Sequence, residues 1–264
     1  MRTFKLLTLA LLSIVFIVLS SCSSDNPTNN NPQGDFAFLN IGNWWIYERY
    51  VIDSAGNKSG DSYFDSTFVT ETEVVLGRTG AFKVKTENEG IEDIEDYYYT
   101  EGEKCFIHSD FINHTLKIML KEMYDKLPIS LEDMWVKLAD YNNDSWLVKV
   151  DSIPPTEIVT GVTINGIFQV SGRKGITKNI TVSSKSFNAQ EFKLFFTFEG
   201  YISLAPTVKQ TFTITIHSWF DKKVGILLQT YDESKFAVPL FGTYMFEGFE
   251  KKLLRYNVVV IINE

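Results

Sequence analysis

Cys22 is the residue whose type and position imply the most definite chemistry. It follows Ser20 and Ser21, which come directly after a mainly apolar run of 14 residues from Leu6 to Leu19. A basic start, a short apolar run and small residues form the pattern of a secretion signal. The run is shorter than the roughly 20 residues that a membrane-spanning helix needs, so we expect it to be removed. A thiolate at its end is a nucleophile that can accept a lipid as a thioether.

The tetrapeptide Leu19-Ser20-Ser21-Cys22 resembles the bacterial lipobox, in which a branched apolar residue and two small residues precede a cysteine. The resemblance implies that residues 1–21 are a lipoprotein signal peptide and that Cys22 carries two or three acyl chains, enough for a stable anchor. Beyond Cys22, residues 23–34 contain no apolar side chain and predict a disordered tether that spans about 20 Å. Residues 22–34 thus form a lipidated tether.

Composition narrows the class of partner. The chain has 264 residues and a net charge of −8, and loss of residues 1–21 leaves 23 basic and 33 acidic residues. A surface of this sign is repelled by phosphate groups. We therefore expect no nucleic-acid partner and no polybasic mode of membrane binding. Ser23 replaces the Asp that retains some lipoproteins at the inner membrane, so a lipid-anchored place in the cell envelope, at the outer membrane, is favoured.

Residues 35–264 predict a β-rich body. Trp45, Tyr47 and Arg49 alternate with Ile46 and Glu48, and similar alternation recurs between short polar turns. This spacing predicts a mainly β fold: a curved antiparallel sheet, or an open barrel or sandwich. Further strand-like runs cover residues 62–76, 81–86, 96–100, 104–108, 145–152, 158–171, 175–182, 187–201, 208–220, 225–232 and 243–260.

A helical pattern interrupts the strands. Apolar residues at helical spacing end at Pro128, and Ser130 with Asp133 resembles the start of a second helix ahead of Trp135 and Leu138. We expect one or two short helices, although a strand through Leu116 fits the pattern too. The segment 111–139 would join two related halves, 35–110 and 140–264. The apolar stripe of the first helix consists of Leu116, Met119, Leu120, Met123 and Leu127.

Three short motifs add a family resemblance. The opening G-N-W-W-I-Y at residues 42–47 looks like the start of many uncharacterised envelope lipoproteins from Bacteroidetes. Residues 181–193 and the W-F-D-K-K-V-G-I-L stretch at 219–227 are similar to later elements of those proteins, although Lys222-Lys223 replaces a smaller pair. The resemblance implies a curved antiparallel sheet in an envelope lipoprotein whose activity is mostly unknown.

Candidate metal ligands are weak. Asp140, Asn142, Asp144 and Asp151 occupy positions 1, 3, 5 and 12 of a calcium-loop pattern. Ser145, however, stands where that loop needs glycine, and Asp151 replaces the bidentate glutamate. The three histidines, His108, His114 and His217, are far apart. We therefore predict no metal and no cofactor.

No catalytic template is present: the chain lacks G-x-S-x-G, H-E-x-x-H, Walker, G-x-G-x-x-G and C-x-x-C motifs. Cys105 is expected to be a small core residue, and the five tryptophans are expected to anchor the sheet. A solvated hairpin tip is expected for the acidic run Glu87, Glu89, Glu92, Asp93, Glu95 and Asp96.

These observations favour a non-enzymatic, membrane-anchored protein that binds an unknown envelope protein or an apolar ligand. Its ligand-binding residues are unknown. The apolar face formed by Phe192, Leu194, Phe196 and Phe198 would become a lipid groove if it were concave and unfilled. The alternatives are an enzyme acting on cell-wall or glycan substrates through paired carboxylates, and a structural subunit of an envelope complex.

Overall fold

The computed structural model describes residues 36–53, 55–120, 124–125, 129, 131–238 and 242–259. The predicted signal peptide, the lipobox and the tether lie outside these ranges. The elements are β1 (Trp44–Ile52), β2 (Lys58–Val75), β3 (Arg78–Asn88), β4 (Ile94–Glu101), β5 (Lys104–His108), α1 (Ser109–Leu120), β6 (Trp135–Asp140), β7 (Ser145–Val159), β8 (Val162–Val182), β9 (Lys185–Ile202), β10 (Ala205–Asp221), β11 (Gly225–Tyr231), β12 (Ser234–Val238), β13 (Gly242–Phe246) and β14 (Gly248–Asn257).

One antiparallel sheet contains twelve of these strands. Its order is β6-β5-β4-β3-β2-β1-β14-β11-β10-β9-β8-β7, while β12 and β13 form a separate hairpin. The first six strands follow one another along the chain, and so do β7 to β11. Strand β14 joins the two series by pairing with both β1 and β11. The predicted mainly β, antiparallel fold is confirmed.

The connection between β6 and β7 forces the sheet to curl. These strands are the two edges of the sheet, yet only residues 141–144 separate them in the chain. Such a connection reaches at most about 18 Å. Twelve flat strands at about 4.8 Å spacing would hold the edges roughly 50 Å apart. The edges must therefore come together, and one face of the sheet becomes an interior.

The two edges meet through side chains. Trp146 on β7 donates its indole N–H to the backbone oxygen of Lys137 on β6, at 2.9 Å. Lys174 on β8 donates to the backbone oxygen of Tyr141, at 3.1 Å. The Trp146 ring lies against Gly172, where an added Cβ would stand 2.0 Å from it. Glycine at residue 172 therefore makes room for the ring.

The residues that follow the predicted tether fill one end of this interior. Phe36, Phe38 and Leu39 are each at most 5% exposed. The Phe38 ring packs against Trp45 and Phe220, at 6.3 Å between ring centres in each case. We call this the tether end, where β1 begins and β14 ends, and the opposite end of the sheet the far end. Ile112 and Leu116 of α1 are fully buried in the same core.

The expectation of one or two helices is met by a single helix, whereas one predicted strand run was wrong. The alternative second helix after Ser130 is not formed, because Trp135 begins strand β6, which pairs with β5. Burial of Val136 and Leu138 on one face of that strand outweighed the local capping pattern. The predicted run 158–171 crosses the turn between β7 and β8, where Gly161 has a φ of +78°. The first predicted helix is present as α1, but it begins at Ser109.

The division into two related halves stays a prediction.

None of the described residues belongs to a helix that is long and apolar enough to cross a bilayer.

Candidate functional site

Four charged side chains occupy the inward face of the sheet: Arg49 on β1, Asp65 on β2, Asp96 on β4 and Lys251 on β14. We call them the charge cluster. Strand register places Asp65 opposite Tyr47 and Lys251 opposite Arg49. Directly opposite side chains lie on the same face of an antiparallel pair. Pairing of β2, β1 and β14 therefore brings two cations and a carboxylate together.

Asp65 is the centre of the charge cluster and is 1% exposed. Its Oδ2 lies 3.2 Å from Arg49 Nε and 3.1 Å from Lys251 Nζ. Burial lowers the pKa of Lys251, and the charge of Asp65 opposes that shift. A buried ion is tolerated only when partners replace its lost hydration. Asp65 supplies that compensation for both cations.

Asp96 is the fourth member and is 4% exposed. Its Oδ1 has no hydrogen-bond partner among the described residues. Burial raises the pKa of Asp96 to about 7, although the charge of Lys251 partly offsets this effect; the charge of Asp110 adds to it. Near neutral pH, the interior thus holds a carboxyl group that exists in both protonation states.

Hydrogen-bonded polar groups lie next to the charge cluster, and a small cavity lies beside Tyr47. Gln229 donates to Ser218 Oγ at 3.0 Å, and the Tyr231 hydroxyl donates to Gln229 Oε1 at 3.1 Å. The Tyr47 hydroxyl donates to the backbone oxygen of Ile226 at 3.1 Å. The cavity beside Tyr47 has a volume of about 40 Å³. It has room for water but is far below the roughly 300–1,000 Å³ of ligand pockets.

The charge cluster reaches the surface through Arg49. Its Nη2 donates to the backbone oxygen of Glu89 at 2.9 Å, and its guanidinium carbon lies 5.3 Å from the centre of the Tyr63 ring. The backbone N–H of Phe64 donates to the Glu89 carboxylate at 2.8 Å. Tyr63, Phe64 and Ile91 are 38%, 51% and 41% exposed, and we call these three residues the far-end patch.

His217 links two carboxylates on the outer face. Its Nδ1 lies 2.8 Å from Glu191, and its Nε2 lies 3.0 Å from Asp232. Burial lowers the pKa of His217, but the hydrogen bonds to Asp232 and Glu191 outweigh burial and raise it overall. Glu191 also accepts the backbone N–H of Ile176 at 3.3 Å. Because both ring nitrogens are engaged, His217 connects neighbouring strands as a packed residue.

The calcium-pattern residues have other partners. Asp140 is fully buried and accepts hydrogen bonds from the backbone N–H groups of Asn142 and Asn143 and from Lys137 Nζ. Asp144 is 91% exposed and lies 3.1 Å from Lys174 Nζ. Asp140 therefore stabilises the turn after β6. Within the described ranges, no group of three or more His, Cys, Asp or Glu side chains is arranged to hold a metal.

The predicted acidic hairpin tip is divided by the fold. Asp93 and Glu95 line an open cleft of about 330 Å³ that faces α1. Asp96 is instead inside the sheet, so the solvated-tip prediction was wrong for this residue. Cys105 is fully buried, as predicted, and burial raises the pKa of its thiol. The lipidation residue Cys22 and the motif residues Leu19, Ser20 and Ser21 lie outside the described residues.

Sequence reasoning did not identify the charge cluster, although a signal was present. Trp45, Tyr47 and Arg49 occupy alternate positions of β1, and the first two face the core. A charged residue on the buried side of a period-two pattern indicates an interior ion pair or a functional group. Its partners were not visible, because β14 pairs with β1 from about 200 residues away.

Loss of the Asp65 charge is expected to destabilise the fold. Asp65→Asn removes the carboxylate that both Arg49 and Lys251 contact, and breaking a largely buried ion pair in this way costs up to about 3–5 kcal/mol. Urea unfolding measures the change in the free energy of unfolding. Asp61→Asn, at an exposed position of the same strand, is the matched control and should change it by less than about 0.5 kcal/mol. Equal effects of the two substitutions would contradict the assignment.

Ionisation of Asp96 is expected to weaken the fold as the pH rises. The folded-state pKa of about 7 exceeds the ordinary value of 3.8, so the folded protein holds the proton more tightly and loses stability between these pH values. Asp96→Asn removes this loss. Relative to the unsubstituted protein, the variant should gain up to about 4 kcal/mol between pH 4 and pH 8, at 1.36 kcal/mol per pKa unit.

Urea unfolding across this pH range tests the Asp96 prediction. Asp93→Asn, at an exposed position of the same hairpin, is the matched control for loss of a carboxylate and should not reproduce the gain of about 4 kcal/mol. A flat difference for Asp96→Asn would show that Asp96 does not titrate in this window.

Comparisons with known proteins add two distant structures. No protein-family model and no curated protein matches this chain. A protein described as a lipoprotein, from Parabacteroides distasonis, is 14% identical with a TM-score of 0.45, over 85% of this chain and 100% of that chain. A protein described as exported, with a YmcC-like fold, from Bacteroides fragilis, is 9% identical with a TM-score of 0.37, over 83% and 96%. Similarity at this level indicates no activity.

Proposed function

We propose that this chain is a lipid-anchored protein of the cell envelope, held by Cys22, that acts by binding a partner protein. The lipobox-like residues 19–22, the apolar run before them and the polar tether after them support the anchor. Ser23 favours the outer membrane. The proposed anchor would hold the β-rich body at the membrane. The packing and the surface of that body support the choice of a binding partner.

The filled interior is the observation on which the choice of a partner protein depends. Phe192, Leu194, Phe196 and Phe198 face inward and are each at most 7% exposed. They belong to one contiguous core of buried residues, and the cavity beside Tyr47 in that core measures about 40 Å³. An acyl chain needs far more volume than this cavity has. We therefore place the proposed binding on the outer surface.

The far-end patch has the composition of a protein interface. Tyr63, Phe64 and Ile91 are exposed at the far end, and Tyr63 lies beside the guanidinium of Arg49; aromatic residues and arginine are enriched where proteins meet. The adjoining hairpin is rich in carboxylates, including Glu89. A partner surface with apolar and basic groups would complement this patch.

The anchor is tested by mass spectrometry of the protein purified from bacterial membranes. The amino-terminal peptide should begin at Cys22 and bear a diacylglyceryl group, and Cys22→Ala should abolish both the lipid and the membrane association. Cys105→Ala is the matched control, because Cys105 is buried and should leave lipidation unchanged. An unmodified peptide beginning at any other residue would contradict the anchor.

The partner is tested by photo-crosslinking in intact cells. A photoreactive phenylalanine at residue 64 should give a discrete protein adduct, because Phe64 is in the far-end patch. The same group at Val208, which is 53% exposed, should give none. Glu89→Lys should weaken the adduct. Equal adducts at both positions would contradict the patch, and a stoichiometric lipid seen by native mass spectrometry would favour the apolar-ligand alternative.

A further inference from the structure

The described chain begins at the tether end. Phe36 is buried there, fourteen residues after Cys22 in the sequence. A flexible segment of this length spans about 20 Å. If Cys22 is lipidated as proposed, the tether end is the part of the body that the anchor holds nearest to the lipid surface.

Charge at the tether end differs in sign from the charge of the whole chain. Residues 158–190 contain four basic residues and no Asp or Glu, in a chain whose net charge is −8. The first residue of β7, Ser145, pairs with Arg173, so the part of β8 after Arg173 extends past the end of β7. This part pairs with the start of β9, and the turn between β8 and β9 lies at the tether end. Exposed basic residues at this end include Arg173, Lys178, Lys185, Lys223 and Arg255.

Carboxylates at the tether end do not cancel this charge. Glu103 is paired with Lys222, and Asp144 is paired with Lys174. Glu71 and Glu73 each lie 3.5 Å from Lys83, and Asp221 accepts the backbone N–H groups of Lys223 and Val224. Glu101 is exposed there. The ion pairs found among the described residues include none for the five exposed basic side chains, although Lys178 also lies 5.4 Å from the centre of the Trp219 ring. By contrast, the acidic hairpin between β3 and β4 lies at the far end.

Large aliphatic side chains are also exposed at the tether end. Their exposed fractions lie between 47% and 72%. Leu76 is the clearest case, because it occupies the tip of the two-residue turn between β2 and β3 with a φ of +48°, where Asn, Asp or Gly is preferred. Neither water exposure nor backbone preference favours leucine at this position. The set consists of Ile41, Val74, Leu76, Ile176 and Val259.

We infer that the tether end docks on the membrane that holds Cys22, with its basic side chains on anionic phospholipid headgroups and its exposed aliphatic side chains in the interface. Basic groups beside apolar ones bind such a surface through electrostatic attraction together with shallow apolar burial. The expectation of no polybasic contact came from the net charge, which does not report how charge is distributed over the folded surface. This inference rests on the proposed lipid anchor.

Environment-sensitive labels on the full lipidated protein test this docking. Leu76→Cys and Ile176→Cys place a label at the tether end, and Ile91→Cys places one at the far end. Labelling is specific because Cys105 is fully buried and the proposed thioether blocks Cys22. The protein is reconstituted into phosphatidylcholine vesicles with or without phosphatidylglycerol. Brominated lipids should quench the labels at 76 and 176 several times more strongly than the label at 91, and phosphatidylglycerol should increase this difference.

Charge variants provide the matched control. Lys185→Glu with Arg255→Glu should remove the effect of phosphatidylglycerol, whereas Lys58→Glu with Lys209→Glu, the same charge change at the far end, should preserve it. Equal quenching at residues 76 and 91 in protein that floats with the vesicles would overturn the docking and leave the anchor intact. Failure to float with the vesicles, with no lipid on Cys22, would instead overturn the proposed anchor and, with it, this inference.

Discussion

The short connection between β6 and β7 is the constraint on which the rest of the structure depends. Residues 141–144 join the two edges of a twelve-stranded sheet, and a chain of that length cannot span a flat sheet. The sheet must curl, and one of its faces loses contact with water. Residues along that face therefore have to pack, pair or hydrogen-bond with one another. The hydrogen bond from the Trp146 indole on β7 to the backbone oxygen of Lys137 on β6 joins the two edges.

Curling explains why charged residues can persist in the core. Arg49, Asp65 and Lys251 come from three neighbouring strands, so the same pairing that removes them from water also brings them within 3.3 Å of a counter-ion. Desolvation is offset only by such close partners. Asp96 lacks a direct partner for one oxygen, and its raised pKa expresses that incomplete compensation. Stability and proton binding are therefore linked in this interior.

The two ends of the sheet are chemically different. Phe36 and Phe38 fill the tether end, so the segment that follows the predicted anchor is part of the folded core. Exposed cations surround this end, while carboxylates and the far-end patch occupy the other. Although the whole protein is acidic, this separation means that the tether end attracts anionic groups and the far end attracts cationic groups. The proposed membrane contact and the proposed partner contact thus use opposite ends of one body.

The sequence by itself determined the features that depend on neighbouring residues: the alternation that makes strands, a helical pattern through Leu116, the buried Cys105 and the targeting pattern that ends at Cys22. Local patterns failed at Trp135, where pairing with β5 outweighed a capping motif. Only the tertiary structure decided that Arg49 meets Lys251 and that basic residues gather at one end. Those outcomes depend on strand pairing between distant parts of the chain, which local periodicity cannot report.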